Sequence, residues 1–380
     1  MSAYFDHNAT TRLDDAVLEA MMPFLRDEYG NASSRHDAGI RARKALNVAR
    51  EQVAALVNVQ PSQVVFVSGG TEANNMFVKG MASYLKPSQI AVSAIEHPCV
   101  MKPAATLARS GWKLRKINVD ATGVIDMADV EAAFGEPTAL VSVMLANNET
   151  GVVQPVGEVA QRARAAKAWI HTDAVQVAGK LPVDFEALGV HAMTLSAHKM
   201  YGPKGAGALV VDKRLPIKPL VGGGGHEHGL RSGTENVPAI VGFGAACELA
   251  AGRRQALAEH TAQLRDLIET GLVEIGATVF GAGAPRIPNT TYFAFQNIDG
   301  ETLVIELNKA GFAVASGSAC SSTSTDPSAT LLAMGVDPDL ARGAVRISLG
   351  VDNTMQQAQE FLIAIATVVD RLRRLTAVAV

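Results

Sequence analysis

The chain has 380 residues, 48% hydrophobic and 19% charged, with 34 Lys plus Arg against 37 Asp plus Glu. That is enough apolar material for a sizeable core spread over about two to three domains, and too little charge for a disordered chain. The near-neutral balance excludes the basic excess that nucleic-acid or membrane-surface binding requires.

The first residues, MSAYFDHNATT, lack a basic n-region and an apolar h-region, so they do not read as a signal peptide. No apolar stretch approaches bilayer length, and the expected location is the cytoplasm. Cys99, Cys247 and Cys320 are the three cysteines. They lie far apart with no CxxC spacing, which indicates neither a disulfide framework nor a zinc site.

Taken in chain order, residues 38–57 place Leu46, Ala49, Val53, Leu56 and Val57 on one helical face, away from Arg41, Lys44, Arg50 and Glu51. Residues 64–67, 90–94, 140–145, 169–172, 192–196 and 208–211 are short Val/Ile/Leu-rich runs bounded by polar residues, the pattern of buried strands. Alternation of such strands with helices predicts an α/β fold, a mostly parallel sheet sandwiched by helices, with its site outside the carboxyl ends of the strands. After about residue 250 the texture becomes α+β: a helix over 252–275, strands over 290–295 and 344–349, and a last helix. Thr354 and Gln357 have capping-box spacing at the start of that helix, and Phe361, Leu362, Ile365, Val368, Val369 and Leu372 form its buried stripe. The expected domains are 12–250 (large) and 1–11 with 251–380 (small). Residues 316–328, SGSACSSTSTDPS, have no large apolar side chain to pack and predict a mobile loop.

Polar residues follow several of the strands directly. Lys199 closes Ser196-Ala197-His198-Lys199 among small residues, a setting for a Schiff-base lysine as well as for an ordinary loop lysine. Asp173 ends the 169–172 run, where a carboxylate can pair with a pyridine nitrogen or cap a helix. Ser68-Gly69-Gly70-Thr71 at a strand-to-helix turn offers backbone N–H groups to a phosphate. No GxGxxG follows any strand, which argues against a nicotinamide enzyme. A phosphate cradle, a strand-end Asp and a strand-end Lys in one domain point to pyridoxal 5'-phosphate. His97 can stack on its ring, and Asn147 and Asn148 bring amides towards its phenolic oxygen.

With those residues in place, the sequence resembles the NifS/IscS-type cysteine desulfurases of the fold-type I, class V aminotransferase superfamily. Ten segments carry the resemblance in the family's order: YFDHNATT (4–11), NASSRH (31–36), SGGTEANN (68–75), EHPCV (96–100), NNETG (147–151), HTDAVQ (171–176), SAHKMYGPKG (196–205), GLRSGTENV (229–237), SGSACSS (316–322) and VRISLG (345–350).

The resemblance implies that Lys199 carries the cofactor and that Asp173 pairs with its ring nitrogen. It implies that His97 stacks on the ring and moves protons, and that Gln176 and Asn148 lie near the phenolic oxygen. Gly70, Thr71, Ser196 and His198 would bind phosphate, completed by Thr234 from the second subunit of a homodimer. Arg346 would clamp the substrate carboxylate with help from Asn8 and Asn148. Cys320 would take sulfur from L-cysteine as a persulfide, leaving L-alanine, and pass it to an IscU/NifU-like iron–sulfur scaffold or another acceptor. Its thiolate could also ligate an iron–sulfur cluster, only transiently. Cys99 and Cys247, in apolar sequence, read as inert core thiols. His226-Glu227-His228 departs from the family pattern and has the spacing of a metal pair that lacks a third ligand. The chain stops at Val380, where IscS-type members extend further to dock their scaffold, which leaves the acceptor open. A selenocysteine lyase or an aminotransferase on the same scaffold is the competing activity.

Overall fold

The computed structural model describes residues 3–316 and 326–378, with side chains as far as Leu375. A seven-stranded sheet forms its centre, in the order Val64–Val67, Gly207–Val211, Ala192–Ser196, Trp169–Asp173, Thr138–Ser142, Gln89–Ser93, Lys113–Ile117. Gly207–Val211 runs antiparallel to both neighbours, and the other adjacent pairs are parallel. Six of these strands match the apolar runs to within a few residues. The seventh, Lys113–Ile117, escapes sequence reading because it is an edge strand: Lys113 and Lys116 are exposed and only Ile117 is buried. Charge of this kind along an edge discourages further pairing.

Helices cover both faces. On one side Val53, Phe66 and Phe243 share a core with Leu46 and Ala49; on the other Phe77, Met81, Val92 and Leu140 form a second. The helix Asp37–Leu56 packs against the helix Val237–Glu274 closely enough that a Cβ at Gly244 would lie 2.6 Å from Ala49 Cα. The latter helix passes position 250, read as a domain boundary, without a break. Its first half buries Ile240, Phe243 and Cys247 in the large core, and its second half buries Leu264, Ile268 and Leu272 in a separate core with Phe5, Phe293, Phe312 and Phe361.

That smaller core lies against a four-stranded antiparallel sheet ordered Ala315–Ser316, Val345–Ser348, Thr290–Ala294, Thr278–Val279. The last helix, Met355–Val378, opens on the expected capping box: Gln357 N–H donates to Thr354 Oγ1 at 3.2 Å and Thr354 N–H to Gln357 Oε1 at 3.1 Å.

The chain start ties the two parts together. Ala3–Tyr4 pairs in parallel with Phe312–Ala313, Asp6 bridges to Ser348, and Thr11 N–H then donates to the His198 carbonyl at 2.9 Å. The NATT turn is thereby laid across the carboxyl ends of the large sheet.

Candidate active site

The rim formed by those strand ends encloses a cleft of about 320 Å3. Most of the expected residues line it: Asn8, Gly70, Thr71, His97, Asn148, Asp173, Gln176, Ser196, His198, Lys199 and Arg346. Thr234 does not; it is exposed on the segment ahead of the helix Val237–Glu274. Cys320 lies outside the described residues.

Each side chain is set by its strand end. Asp173 is buried, with Oδ1 accepting from Val175 N–H at 3.0 Å and Oδ2 from Asn74 Nδ2 at 2.6 Å. Lys199, in the short 3-10 turn Ala197–Lys199, donates from Nζ to the carbonyls of Asn8 at 2.5 Å and Ala9 at 2.7 Å. His97 caps the helix Pro98–Thr106: its Nδ1 accepts the Cys99 N–H at 3.2 Å, and Cys99 Sγ lies 2.8 Å away. An accepting Nδ1 leaves the ring proton of a neutral imidazole on Nε2. Burial lowers the His97 pKa, with Asp173 opposing and Lys199 adding to the shift, so the ring is neutral at pH 7. Burial likewise lowers the His198 pKa to about 4, helped by Lys199 and Lys204.

One end of the cleft suits a phosphate. Gly69, at φ +152°, precedes the helix Gly70–Ala82, whose first turn faces Ser196, His198 and Lys204 across a shared hollow. The turn seats tightly, since a Cβ at Gly207 would stand 2.6 Å from Gly69 Cα. Ser196 Oγ is buried and has no hydrogen-bond partner among the described residues. An orphaned hydroxyl, small residues and a helix N-terminus together fit the phosphate of pyridoxal phosphate.

The opposite end carries Arg346. Its Nη2 contacts Asp6 Oδ1 at 2.6 Å, its Nη1 donates to the Asn148 carbonyl at 3.0 Å, and its Nε is buried without a partner among the described residues. Asn8, expected to assist at the substrate, lines the cleft with both ends of its side-chain amide hydrogen-bonded: Nδ2 to Asn148 O and Thr290 Oγ1, and Oδ1 to Lys180 Nζ and Asn289 Nδ2.

One expectation is corrected. Cys99 is no core thiol: it lines the cleft between His97 and Asn74, whose Nδ2 donates to Sγ at 3.0 Å. Cys247 is buried as expected. In the His226-x-His228 pair both ring nitrogens of His226 make hydrogen bonds, Nε2 with Ser33 Oγ at 3.1 Å and Nδ1 accepting Gly233 N–H at 3.3 Å. Among the described residues no group of three His, Cys, Asp or Glu could hold an ion. Of the segment 316–328, read as a mobile loop, residues 317–325 lie outside the described residues; at its margins Ser316 pairs with Val345, and Ser328 is buried, caps the helix Ala329–Ala333 and donates to Glu149 Oε2. Sequence reading also passed over Asp6, Asn74 and Lys180, although each stands within or four residues after a quoted motif.

A model of the class-V aminotransferase family matches residues 3–361. The chain is 44% identical to a cysteine desulfurase of Sinorhizobium fredii, with 97% of each chain covered. The chain belongs to the cysteine desulfurases of that family. It is also 39% identical to a cysteine desulfurase IscS of Dictyoglomus turgidum, over 98% of this chain and 96% of that one. The solved structure of a NifS-like protein superposes with a TM-score of 0.92 at 40% identity, covering 97% of this chain and all (100%) of the other. Enzymes of this family depend on pyridoxal phosphate, and the residues around the cleft fit it.

Proposed function

We propose that this cysteine desulfurase takes sulfur from free L-cysteine, releases L-alanine and holds the sulfur as a persulfide on Cys320. The observation that carries the reading is the convergence of Lys199, Asp173, Ser196 and Arg346 on one cleft, from the ends of two neighbouring strands of the large sheet and from the strand Val345–Ser348 of the smaller one. Ser196 Oγ, Thr71 and the Gly70 turn would hold the phosphate, with His198 beside them; Asp173 would pair with the ring nitrogen and His97 would stack on the ring. Gln176 and Asn148 would serve the phenolic oxygen, and Arg346 the substrate carboxylate.

Bound pyridoxal phosphate supplies an electron sink for charge developing on the substrate carbons. The chain's own groups do the rest. Lys199 Nζ, released from the Asn8 and Ala9 carbonyls, takes the Cα proton. The thiolate of Cys320 forms an S–S bond to the substrate sulfur as the C–S bond breaks, and the bonding pair stays with carbon. Two proton transfers to carbon then complete alanine, so cysteine plus thiol become alanine plus persulfide in balance. Both described flanks of the Cys320 stretch stand at the cleft: Ala315 pairs with Arg346 in register, and Ser328 binds Glu149, next to Asn148.

The protein is proposed to act in the cytoplasm, where thiols stay reduced. Among the described residues no helix is long and apolar enough to cross a membrane. Its acceptor is proposed to be an iron–sulfur cluster scaffold. A second copy is proposed to bring Thr234 to the phosphate, consistent with that residue's exposure here. The deciding experiment is mass spectrometry of Cys320 after incubation with cysteine, expected to show one added sulfur. Undiminished alanine release by Cys320→Ala would overturn the reading.

A further inference from the structure

Lys180 lies one turn beyond Gln176 in the tight coil after the strand Trp169–Asp173, and only 7% of it is exposed. Its Nζ donates to Asn8 Oδ1 and to Gln176 Oε1, each at 2.9 Å. No carboxylate pairs with it among the described residues. Burial, with the cations Lys199 and Arg346 adding to it, holds its pKa well below the usual lysine value. A lysine head group is costly to desolvate, and here two amide oxygens of cleft residues are committed to satisfying it.

Its geometry shows the effect. Both amides turn their oxygens to Nζ, so both amide nitrogens must point away from it. Gln176 Nε2 is left to donate to the Asn8 carbonyl at 3.0 Å and to face the cleft. The same Asn8 carbonyl accepts from Lys199 Nζ. A flipped Gln176 would lose both the bond from Lys180 Nζ to its oxygen and the bond from its own amide nitrogen to the Asn8 carbonyl.

We infer that Lys180 is a positioning residue of the active site, whose Nζ locks the side-chain amides of Asn8 and Gln176 so that Gln176 presents a hydrogen-bond donor to the cofactor pocket. The inference rests on the proposed site. It adds a residue that touches neither substrate nor cofactor and acts through two that line the cleft.

The test uses the holoenzyme and follows the visible absorbance of its bound cofactor against pH. Gln176→Ala removes the donor directly; Lys180→Met removes what orients it. Both changes favour the protonated cofactor, so in each the spectral midpoint is expected to rise by about one pH unit, a tenfold change in proton affinity. The double variant is expected to shift no further than Lys180→Met alone, because the two residues act as one unit. Should Lys180→Met fail to fold, Lys180→Gln keeps a polar head without the amine and carries the same expectation. A wild-type midpoint in the Lys180 variant, or shifts that add in the double variant, overturns the inference. Wild-type protein with no visible cofactor band instead overturns the site reading on which it rests.

Discussion

Asp6 and Arg346 meet at 2.6 Å, with the arginine side chain 5% exposed and the aspartate 19%. The guanidinium proposed to receive the substrate carboxylate therefore already holds one, delivered from 340 residues away by the pairing of the chain start with the small domain. Cysteine has to compete with Asp6 for the same N–H groups. Asp6→Asn keeps an acceptor oxygen there and removes the competing charge, so the KM for cysteine is expected to fall several-fold. Arg346→Lys loses the bidentate fork, and its KM is expected to rise by about 10- to 100-fold. Steady-state kinetics decides: a KM for Asp6→Asn that rises in step with Arg346→Lys means that Asp6 orients the arginine and does not compete.

The phosphate turn depends on a glycine that contacts no ligand. A Cβ at Gly207 meets Gly69 Cα at 2.6 Å and the Leu195 carbonyl at 2.8 Å, both backbone atoms that cannot swing aside. Gly207→Ala must push the turn away from Ser196. The expected cost is about 1–3 kcal/mol in stability together with about tenfold or more in cofactor affinity. Equilibrium dialysis against pyridoxal phosphate measures the latter. Unchanged affinity in a folded variant would show that the turn does not seat the phosphate.

What could be read from the sequence follows from how an α/β sheet is written. Asp173, Ser196 and Lys199 were legible because each ends a short apolar run, and the strand ends of a parallel sheet share one rim. Lys180 was not, since a buried lysine is spelled like a surface one and its partner Asn8 lies 172 positions away. Cys99 read as core because its neighbours Pro98 and Val100 are apolar, yet the N-terminal turn of its helix points at His97 and Asn74. Asp6 became meaningful only through a parallel pairing of two-residue strands, too short for any periodicity to reveal.

The position of Cys99 invites confusion with a nucleophile, and its chemistry separates the two. Burial, with Asp173 adding to it, pushes its pKa up to about 12. At pH 7 its thiolate fraction is then about one in 100,000, far below that of an ordinary cysteine. Limiting iodoacetamide at pH 7 is expected to label Cys320 and to leave Cys99 and Cys247 unmodified. Peptide mapping of Cys320→Ala after the same treatment is the control, and a Cys99 adduct there would show that the cleft activates this thiol.

Acid sensitivity is expected from histidines buried in neutral form. Burial lowers the pKa of His171 to about 3 and those of His7, His191 and His198 to about 4, against 6.5 when unfolded. His171 has both ring nitrogens engaged, with Ser142 and Thr194 hydroxyls at 2.9 Å each, and stacks on Phe77. The sign follows from proton counting. Below pH 6.5 the unfolded chain binds protons at these rings that the native protein refuses until about pH 4, so stability is complete above 6.5 and declines as pH falls through that window. His171 alone contributes about 1.4 kcal/mol per pH unit there. Glu96 and Glu149 act in the opposite sense, because burial raises their pKa above 4.5 and the native state holds protons the unfolded chain releases. Four histidines outweigh two acids at pH 5, so the melting temperature should fall between pH 6.5 and 4.5, and unfolding should take up protons from the buffer. Calorimetry in buffers of different ionisation enthalpy reads that uptake directly. A melting temperature that holds level or rises over this interval would mean that the histidines are charged in the folded protein.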